Sequence, residues 1–320
     1  MTNFSFTLLE SPRWSDYALL DSGDGLKLER FGKYIFARPE AQAMWTRALS
    51  PSEWSNVHAT FQPSAEESGG HWIPKKKMEE KWSMTYPLPP KSEVLTDLRG
   101  PRGAELRFWA MTTPGRHLGV FPEVAAHWDF VADSIQQAGL HPERSRRGPV
   151  KVLNLFGYTG LASLAAAAAG AHVTHVDASK KSVGWARENQ ALSKLEERPI
   201  RWIVEDAVKY VEREARRGAK YDGILLDPPK FGRGPKGEVW EVYKSLPDLL
   251  AACRAILSDD PLFLVATVYA VRASAIHVAQ TVEEMMSGFE GSVDAGELVT
   301  REQSANRLLS QAVYARWSAK

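Results

Sequence analysis

The chain has 320 residues, 44% of them hydrophobic and 25% charged, a soluble composition that excludes a disordered chain and supports one large core or two smaller ones. A formal net charge of +1 excludes chain-wide attraction to nucleic acid and leaves only local basic patches for that role. The single cysteine, Cys253, excludes an internal disulfide and a multi-cysteine zinc site.

The opening stretch MTNFSFTLLESPRW lacks the basic and apolar regions of a signal peptide. No apolar run reaches the ~18–20 residues that a membrane helix needs. A cytoplasmic protein, with no membrane and no metal, is the expectation. Residues 1–120 are rich in Trp, Gly and Pro and alternate over short stretches. DYALLDSGDGLKLERFGKYIFARPE sets a Gly-Asp-Gly turn between strand-like runs. KWSMTYPL and AELRFWAMTT alternate likewise, with turn chemistry in DLRGPRG between them. PEAQAMWTRAL reads as a helix. These features predict a small, mainly β (α+β) domain. FPEVAAHWDFVADSIQQAG (121–139) has helical apolar spacing and joins it to a second domain over 121–320.

From residue 150 strands and helices alternate. Strands are predicted at 150–156, 171–178, 199–206, 221–229 and 261–270, with helices at 159–170, 179–195, 207–217 and 238–258. That spacing means βαβ units and a parallel sheet. SQAVYARWS (310–318) reads as a last strand after a loop.

Ligands of such sheets bind past the carboxyl ends of the strands, where strand order reverses. NLFGYTG (154–160) puts Gly157 and Gly160 after the first strand, where glycine allows a positive φ and close backbone approach. The helix starting near Thr159 offers free N–H groups and a positive dipole end. A plain βα turn would look the same. Asp177 ends the second strand in VDAS, placed to accept both hydroxyls of an adenosine ribose; a helix N-cap is the other reading, although Ser179 already serves as one. Asp206 ends the third strand in VED, placed for an adenine amino group or, again, as an N-cap. G-x-x-G is not the G-x-G-x-x-G of a dinucleotide site. The fourth strand runs into LLDPPKFGRG, where Pro228 and Pro229 stiffen the backbone and leave carbonyls facing outward with no local donor, an acceptor-rich ledge for a planar amine. A proline-terminated strand is the alternative.

NLFGYTG, VDAS, VED and DPPKF, in this order, resemble the motifs of class I S-adenosylmethionine (SAM)-dependent methyltransferases, and specifically the bacterial ribosomal RNA large-subunit methyltransferase family that includes methyltransferases I and K/L. The resemblance implies a Rossmann-like seven-stranded sheet with an antiparallel last strand, and SAM across the tips of strands one to four. It implies contacts to the methionine part from Asn154, Phe156, Gly157, Tyr158, Thr159 and Gly160. Asp177, with Ala178 and Ser179, would hold the ribose, and Asp206, with Ala207, the adenine. Asp227 and Pro228 would face the methyl group, with Pro229 and Lys230 completing the catalytic segment. Relatives that methylate cytosine C5 carry a thiol at the tip of strand five, where this chain has ATVYAVRAS. Cys253, in LPDLLAACRAIL, marks the apolar face of a helix. A nucleobase nitrogen of ribosomal RNA is therefore the expected acceptor, with Phe231 stacking and Arg233 on the RNA. Basic residues near Trp72 and Trp82 (71–82) are a second candidate RNA contact or a solvated loop, and ERSRRG (143–148) another basic run or a linker. A protein or small-molecule methyltransferase, an adenosine-binding dehydrogenase and a non-catalytic SAM-binding scaffold remain as alternatives.

Overall fold

The computed structural model describes residues 5–11, 13–64, 69–89, 105–269 and 273–320; the DLRGPRG turn and Ala270–Arg272 of the strand-five tip lie outside them. β1 (Ser5–Leu9) is followed by β2 (Tyr17–Gly23), β3 (Leu26–Phe31), β4 (Tyr34–Pro39), α1 (Pro51–Ser55), β5 (Ala59–Pro63) and β6 (Gly70–Pro74). β7 (Trp82–Pro87) and β8 (Glu105–Ala110) pair antiparallel, and β2 to β6 form a five-stranded sheet. The Gly-Asp-Gly turn joins β2 to β3 as expected. PEAQAMWTRAL is not a helix. Its backbone is taken up elsewhere: the Asp24 and Gly25 amides donate to the Trp45 and Ala43 carbonyls, and the Asp21 carboxylate receives the Ala48 and Leu49 amides. The helix forms one step later, where Ser50 and Glu53 make a capping box and Pro51 sits in the first turn.

A short 3-10 turn, Pro122–Val124, leads into α2 (Ala125–Leu140) and α3 (Pro142–Ser145). Then come β9 (Lys151–Leu155), α4 (Leu161–Ala168), β10 (His172–Asp177), α5 (Lys180–Leu192), β11 (Ile200–Val204), α6 (Ala207–Arg216) and β12 (Gly223–Leu226). β13 (Phe231–Arg233) and β14 (Val239–Glu241) form a hairpin before α7 (Val242–Ile256), so the helix expected from 238 begins at 242. β15 (Phe263–Val268), α8 (Ala275–Met285), β16 (Gly291–Arg301) and β17 (Leu308–Ala319) complete the chain; the loop expected before the last strand holds α8 and β16.

The large sheet runs β11-β10-β9-β12-β15-β17-β16-β1. β9 to β12 and β15 are mutually parallel, and β17 is antiparallel to both neighbours. Seven of these strands are the expected class I set. The eighth, β1, comes from the N-terminal part and lies parallel to β16 at the edge. β12 and β15 are buried along their whole lengths, as apolar strands covered on both faces must be. One face packs on α6, α7 and α8, the other on α2 and α4. The alanines of LASLAAAA are buried almost throughout, so small side chains let α4 lie close to α2 and the β7–β8 ribbon. Strand order reverses between β9 and β12.

A polar network ties the N-terminal sheet to the β16–β17 turn. Asp21, fully buried, accepts from Trp54 Nε1 (2.8 Å) and Ser304 Oγ (2.6 Å), and Arg307 bridges Asp21 and Glu302. Burial alone would raise the Asp21 carboxyl, but hydrogen bonds from Ser304, Leu49, Trp54 and Ala48 outweigh it and hold the pKa below the usual aspartate value. A depressed folded pKa gives stability that is present above the unfolded pKa and lost as pH falls through the folded one. Asp21→Asn is therefore expected to cost about 1–3 kcal/mol at neutral pH, and the gap to wild type should close on acidification. Denaturant titrations over pH check this; a pH-independent gap would refute it.

Candidate active site

At the carboxyl ends of β9, β12 and β15 opens a cleft, walled on its far side by the 3-10 turn and α2. Asn154, Phe156, Gly157, Tyr158, Thr159 and Asp227 line it. The turn after β9 is the most contorted backbone of the site. Phe156 (φ 56°), Tyr158 (φ 48°) and Gly160 (φ 85°) are all left-handed, although only one is glycine. Such conformations at non-glycine residues cost about 1–3 kcal/mol and persist where the surroundings over-determine them. Here the Tyr158 amide donates to Asp177 Oδ2 (2.9 Å) and the Gly157 amide to the Val176 carbonyl (3.1 Å), pinning the turn to the tip of β10.

Gly157 does not use a positive φ. It is glycine because a Cβ there would lie 2.3 Å from His175 Cε1 and 3.1 Å from Asn154 Nδ2. Both neighbours are buried and chained together: Asn154 Nδ2 donates to Ser163 Oγ (2.9 Å), which sits 3.0 Å from His175 Nδ1. Thr159 is buried too; its hydroxyl donates to the Gly119 carbonyl (2.7 Å). Gly160 is the N-cap of α4, with no side-chain cap, so the helix begins at Leu161. Burial and then the nearby Asp177 push the Tyr158 phenol up to about 12.

Asp177 accepts from the Ser179 amide (2.8 Å) as well as from Tyr158, and burial raises its carboxyl despite both bonds. The cap of α5 is Ser179, whose hydroxyl accepts from the Ser182 amide. Asp206 is the N-cap of α6, accepting from the Lys209 amide (3.1 Å), with Ala207 the first helical residue. Asp177, Ala178, Ser179, Asp206 and Ala207 lie along the neighbouring strand tips and are not among the residues lining the cleft itself.

The DPP ledge differs from expectation. Trp240 Nε1 donates to the Pro229 carbonyl (2.6 Å), so that acceptor has a partner, supplied across the β13–β14 hairpin. The Trp240 ring in turn packs on Phe156, centroids 4.9 Å apart, and so joins the DPP segment to the β9 turn. Asp227 Oδ1 is buried and unpartnered, and burial followed by Glu123 raises its carboxyl well above the ordinary value. Pro228 is buried and Pro229 exposed. Lys230 lies over the Phe231 ring (5.5 Å), Phe231 is 57% exposed and Arg233 is exposed. Trp72 and Trp82 instead pack in the aromatic core of the N-terminal part, while the lysines of 71–82 face solvent together with His71, Glu79 and Glu80. Arg144 and Arg147 of the 143–148 run pair with Asp222 and Asp260, which makes it a structural clamp.

Phe121, Val124, His127 and Trp128 line the cleft and were not expected there. Their trace in the sequence is FPEVAAHWDF, where a glutamate and a histidine interrupt an apolar helical face.

The solved SAM-dependent methyltransferase from Agrobacterium tumefaciens superposes with a TM-score of 0.85 at 44% identity, covering 100% of this chain and 98% of that one. The chain belongs to the class I SAM-dependent methyltransferases. The family described as "Conserved hypothetical protein 95" matches residues 133–242. The methyltransferase is also similar to ribosomal RNA large subunit methyltransferase K/L of Shewanella sp. strain ANA-3, 38% identical over 113 residues, and of Alteromonas mediterranea, 30% over 180 residues. These matches cover 34% and 53% of this chain but 16% and 25% of those relatives, so the chain spans only a small part of their length. A Streptococcus mutans protein described as a SAM-dependent methyltransferase shares the fold at 16% identity, TM-score 0.66. Among the described residues no helix is long and apolar enough to cross a membrane, and no group of acidic, histidine or cysteine side chains is arranged to hold a metal.

Gly157→Ala is expected to destabilise this methyltransferase by about 1–3 kcal/mol, because its methyl group meets buried neighbours that cannot withdraw. Thermal unfolding checks it; an unchanged melting temperature would mean that His175 swings away freely.

Proposed function

We propose that this methyltransferase acts on RNA, and that the acceptor is a nucleobase nitrogen. The observation that carries the reading is the state of the only thiol. Cys253 is fully buried in the core formed with α7 and α8, and burial raises its pKa. Methylation at cytosine C5 needs a thiolate that attacks C6, and Cys253 cannot supply one. A nitrogen lone pair needs only positioning and a group to take up developing positive charge, and Asp227 offers a carboxyl oxygen in the cleft without a partner. RNA is favoured by the similarity to enzymes named for ribosomal RNA, and by exposed Phe231 and Arg233 on the hairpin directly after the DPP segment. Ribosomal RNA, a cytoplasmic setting, substrate recognition by residues 1–120 and catalysis by 121–320 belong to the same proposal.

SAM supplies a methyl group on a positively charged sulfur. In this reading Asn154, Phe156, Gly157, Tyr158, Thr159 and Gly160 surround the methionine part. Asp177, whose two recorded bonds leave lone pairs free, accepts the ribose hydroxyls, with Ala178 and Ser179 beside it. Asp206 and Ala207 flank the adenine. Asp227, Pro228, Pro229 and Lys230 face the acceptor base, and Phe231 stacks on it or its neighbour.

Transfer of labelled methyl from SAM to ribosomal RNA, followed by mass spectrometry of the nucleosides, tests the proposal. Label on a ring or exocyclic nitrogen is expected; label confined to protein or to carbon 5 overturns it. Asp177→Ala should weaken SAM binding by about 1–3 kcal/mol, roughly 5- to 150-fold, and calorimetry showing unchanged affinity would remove Asp177 from the site. Cys253→Ser should keep methyl transfer near the wild-type rate while losing about 1–3 kcal/mol of stability from a hydroxyl in the core; a folded, SAM-binding but inactive variant would restore covalent catalysis.

A further inference from the structure

The β13–β14 hairpin has two unlike faces. Phe231 pairs with Glu241 and Arg233 with Val239, so these four point to one side, while Gly232 and Trp240 point to the other. The inner side belongs to the site. Trp240 is buried, donates to the Pro229 carbonyl and packs on Phe156, which lines the cleft. Gly232 lies against the same segment, since a Cβ there would be 3.3 Å from Pro229 Cγ. The outer side meets solvent, with Phe231 57% and Val239 71% exposed. The alternation continues into α7, where Val242 is buried and Tyr243 is 53% exposed. Three of the nine large hydrophobic side chains exposed among the described residues therefore lie within 231–243. Single exposed hydrophobics need no explanation; a group of them beside an active site marks a surface that is covered in use.

This surface is built to keep its shape. The Val242 amide donates to the Lys230 carbonyl (3.1 Å) at the base of the hairpin, and the Gly234 amide to the Glu238 carbonyl (2.8 Å) at its tip. The Glu238 carboxylate accepts from the Lys236 amide (2.8 Å) and pairs with Lys209 of α6 (2.6 Å). Cations accompany the apolar side chains. Lys230 lies over the Phe231 ring, and Arg233 and Lys236 are exposed. The acid on this side, Glu241, is matched by Lys244 (2.6 Å). Exposed rings and cations together fit a polyanion that offers flat faces. In an RNA helix the bases stack on one another and the major groove is too deep and narrow for side chains, so unpaired nucleotides are what present such faces.

We propose that the outer face of the β13–β14 hairpin receives unpaired RNA next to the target base: Phe231 and Tyr243 stack on bases, Val239 packs against them, and Arg233 and Lys236 hold phosphates. This rests on the RNA substrate proposed above and narrows it to a single-stranded segment or loop. The inner face carries the consequence to the site. Trp240 fixes the hairpin to Pro229 and Phe156, so a strand lying on the outer face is held in a set position relative to the DPP segment and the cleft. The hairpin selects unpaired substrate and places it; its outer side chains make and break no bonds.

Fluorescence anisotropy of the full chain with labelled oligouridine, labelled oligoadenosine and the duplex of the two tests the surface apart from catalysis, with S-adenosylhomocysteine present so that no methyl is transferred. Both single strands should bind about tenfold tighter than the duplex or more, since pairing removes the stacking faces. Phe231→Ala and Tyr243→Ala should each weaken single-strand binding about 5- to 150-fold, the usual cost of one lost base stack. Phe231→Trp, which keeps a ring, should bind like wild type. Arg233→Glu should weaken binding and lower its salt dependence. Calorimetry should show SAM affinity unchanged in every variant, since none of these side chains lines the cleft. Equal binding of strand and duplex, or alanine variants that bind like wild type, overturns the proposal; if the chain then still methylates ribosomal RNA, the RNA reading stands without it. A wild-type chain that binds no RNA and methylates only protein overturns both.

Discussion

The site depends on one carboxylate, that of Asp177. It accepts the Tyr158 amide from the turn after β9 and the Ser179 amide from the start of α5. The turn it holds contains two left-handed residues with side chains, Phe156 and Tyr158, a conformation the chain would leave if nothing fixed it. Charge-assisted hydrogen bonds to backbone amides are among the stronger ones available in a protein. Here they offset local strain and align two neighbouring loops, so that Phe156, Gly157, Tyr158 and Thr159 present themselves to one cleft. A second brace comes from the opposite side, where Trp240 bonds Pro229 and packs on Phe156. The tips of β9, β10 and β12 are thereby joined into one rigid rim.

The far wall of the cleft comes from the connection between the two parts of the molecule. Phe121, Val124 and His127 reach the cleft from a turn whose carbonyls are held by Ser11 and Trp14. β1 adds a strand to the edge of the large sheet, and the Asp21, Glu302 and Arg307 network lashes the N-terminal sheet to the β16–β17 turn. The core around Phe108, Trp128 and Leu164 is continuous across the two parts. A substrate held by the N-terminal part would therefore be held in register with the strand tips.

The chemistry open to the site follows from what is buried. A thiol sealed on the buried face of α7 cannot take part, while the Asp227 carboxyl, one oxygen of which lacks a partner at the tip of β12, can. A buried polar atom without a partner is costly to fold.

The sequence by itself determined the βαβ alternation, the turn after the first strand, the acids ending β10 and β11, and the DPP segment after β12. Each is a local pattern: apolar period, a glycine pair, a residue at a strand end. It could not show that PEAQAMWTRAL is unwound, since its Ala48 and Leu49 amides are claimed by Asp21 and its Ala43 and Trp45 carbonyls by the β2–β3 turn. Nor could it show that β1 joins the large sheet almost 290 residues before its partner strand, or that Gly157 is glycine because of His175. The Trp240 bond to Pro229 belongs to the same class. Spacing along the chain reports what a residue does to its own backbone; contacts between distant residues exist only once packing has brought their elements together, and the cleft is made almost entirely of such contacts.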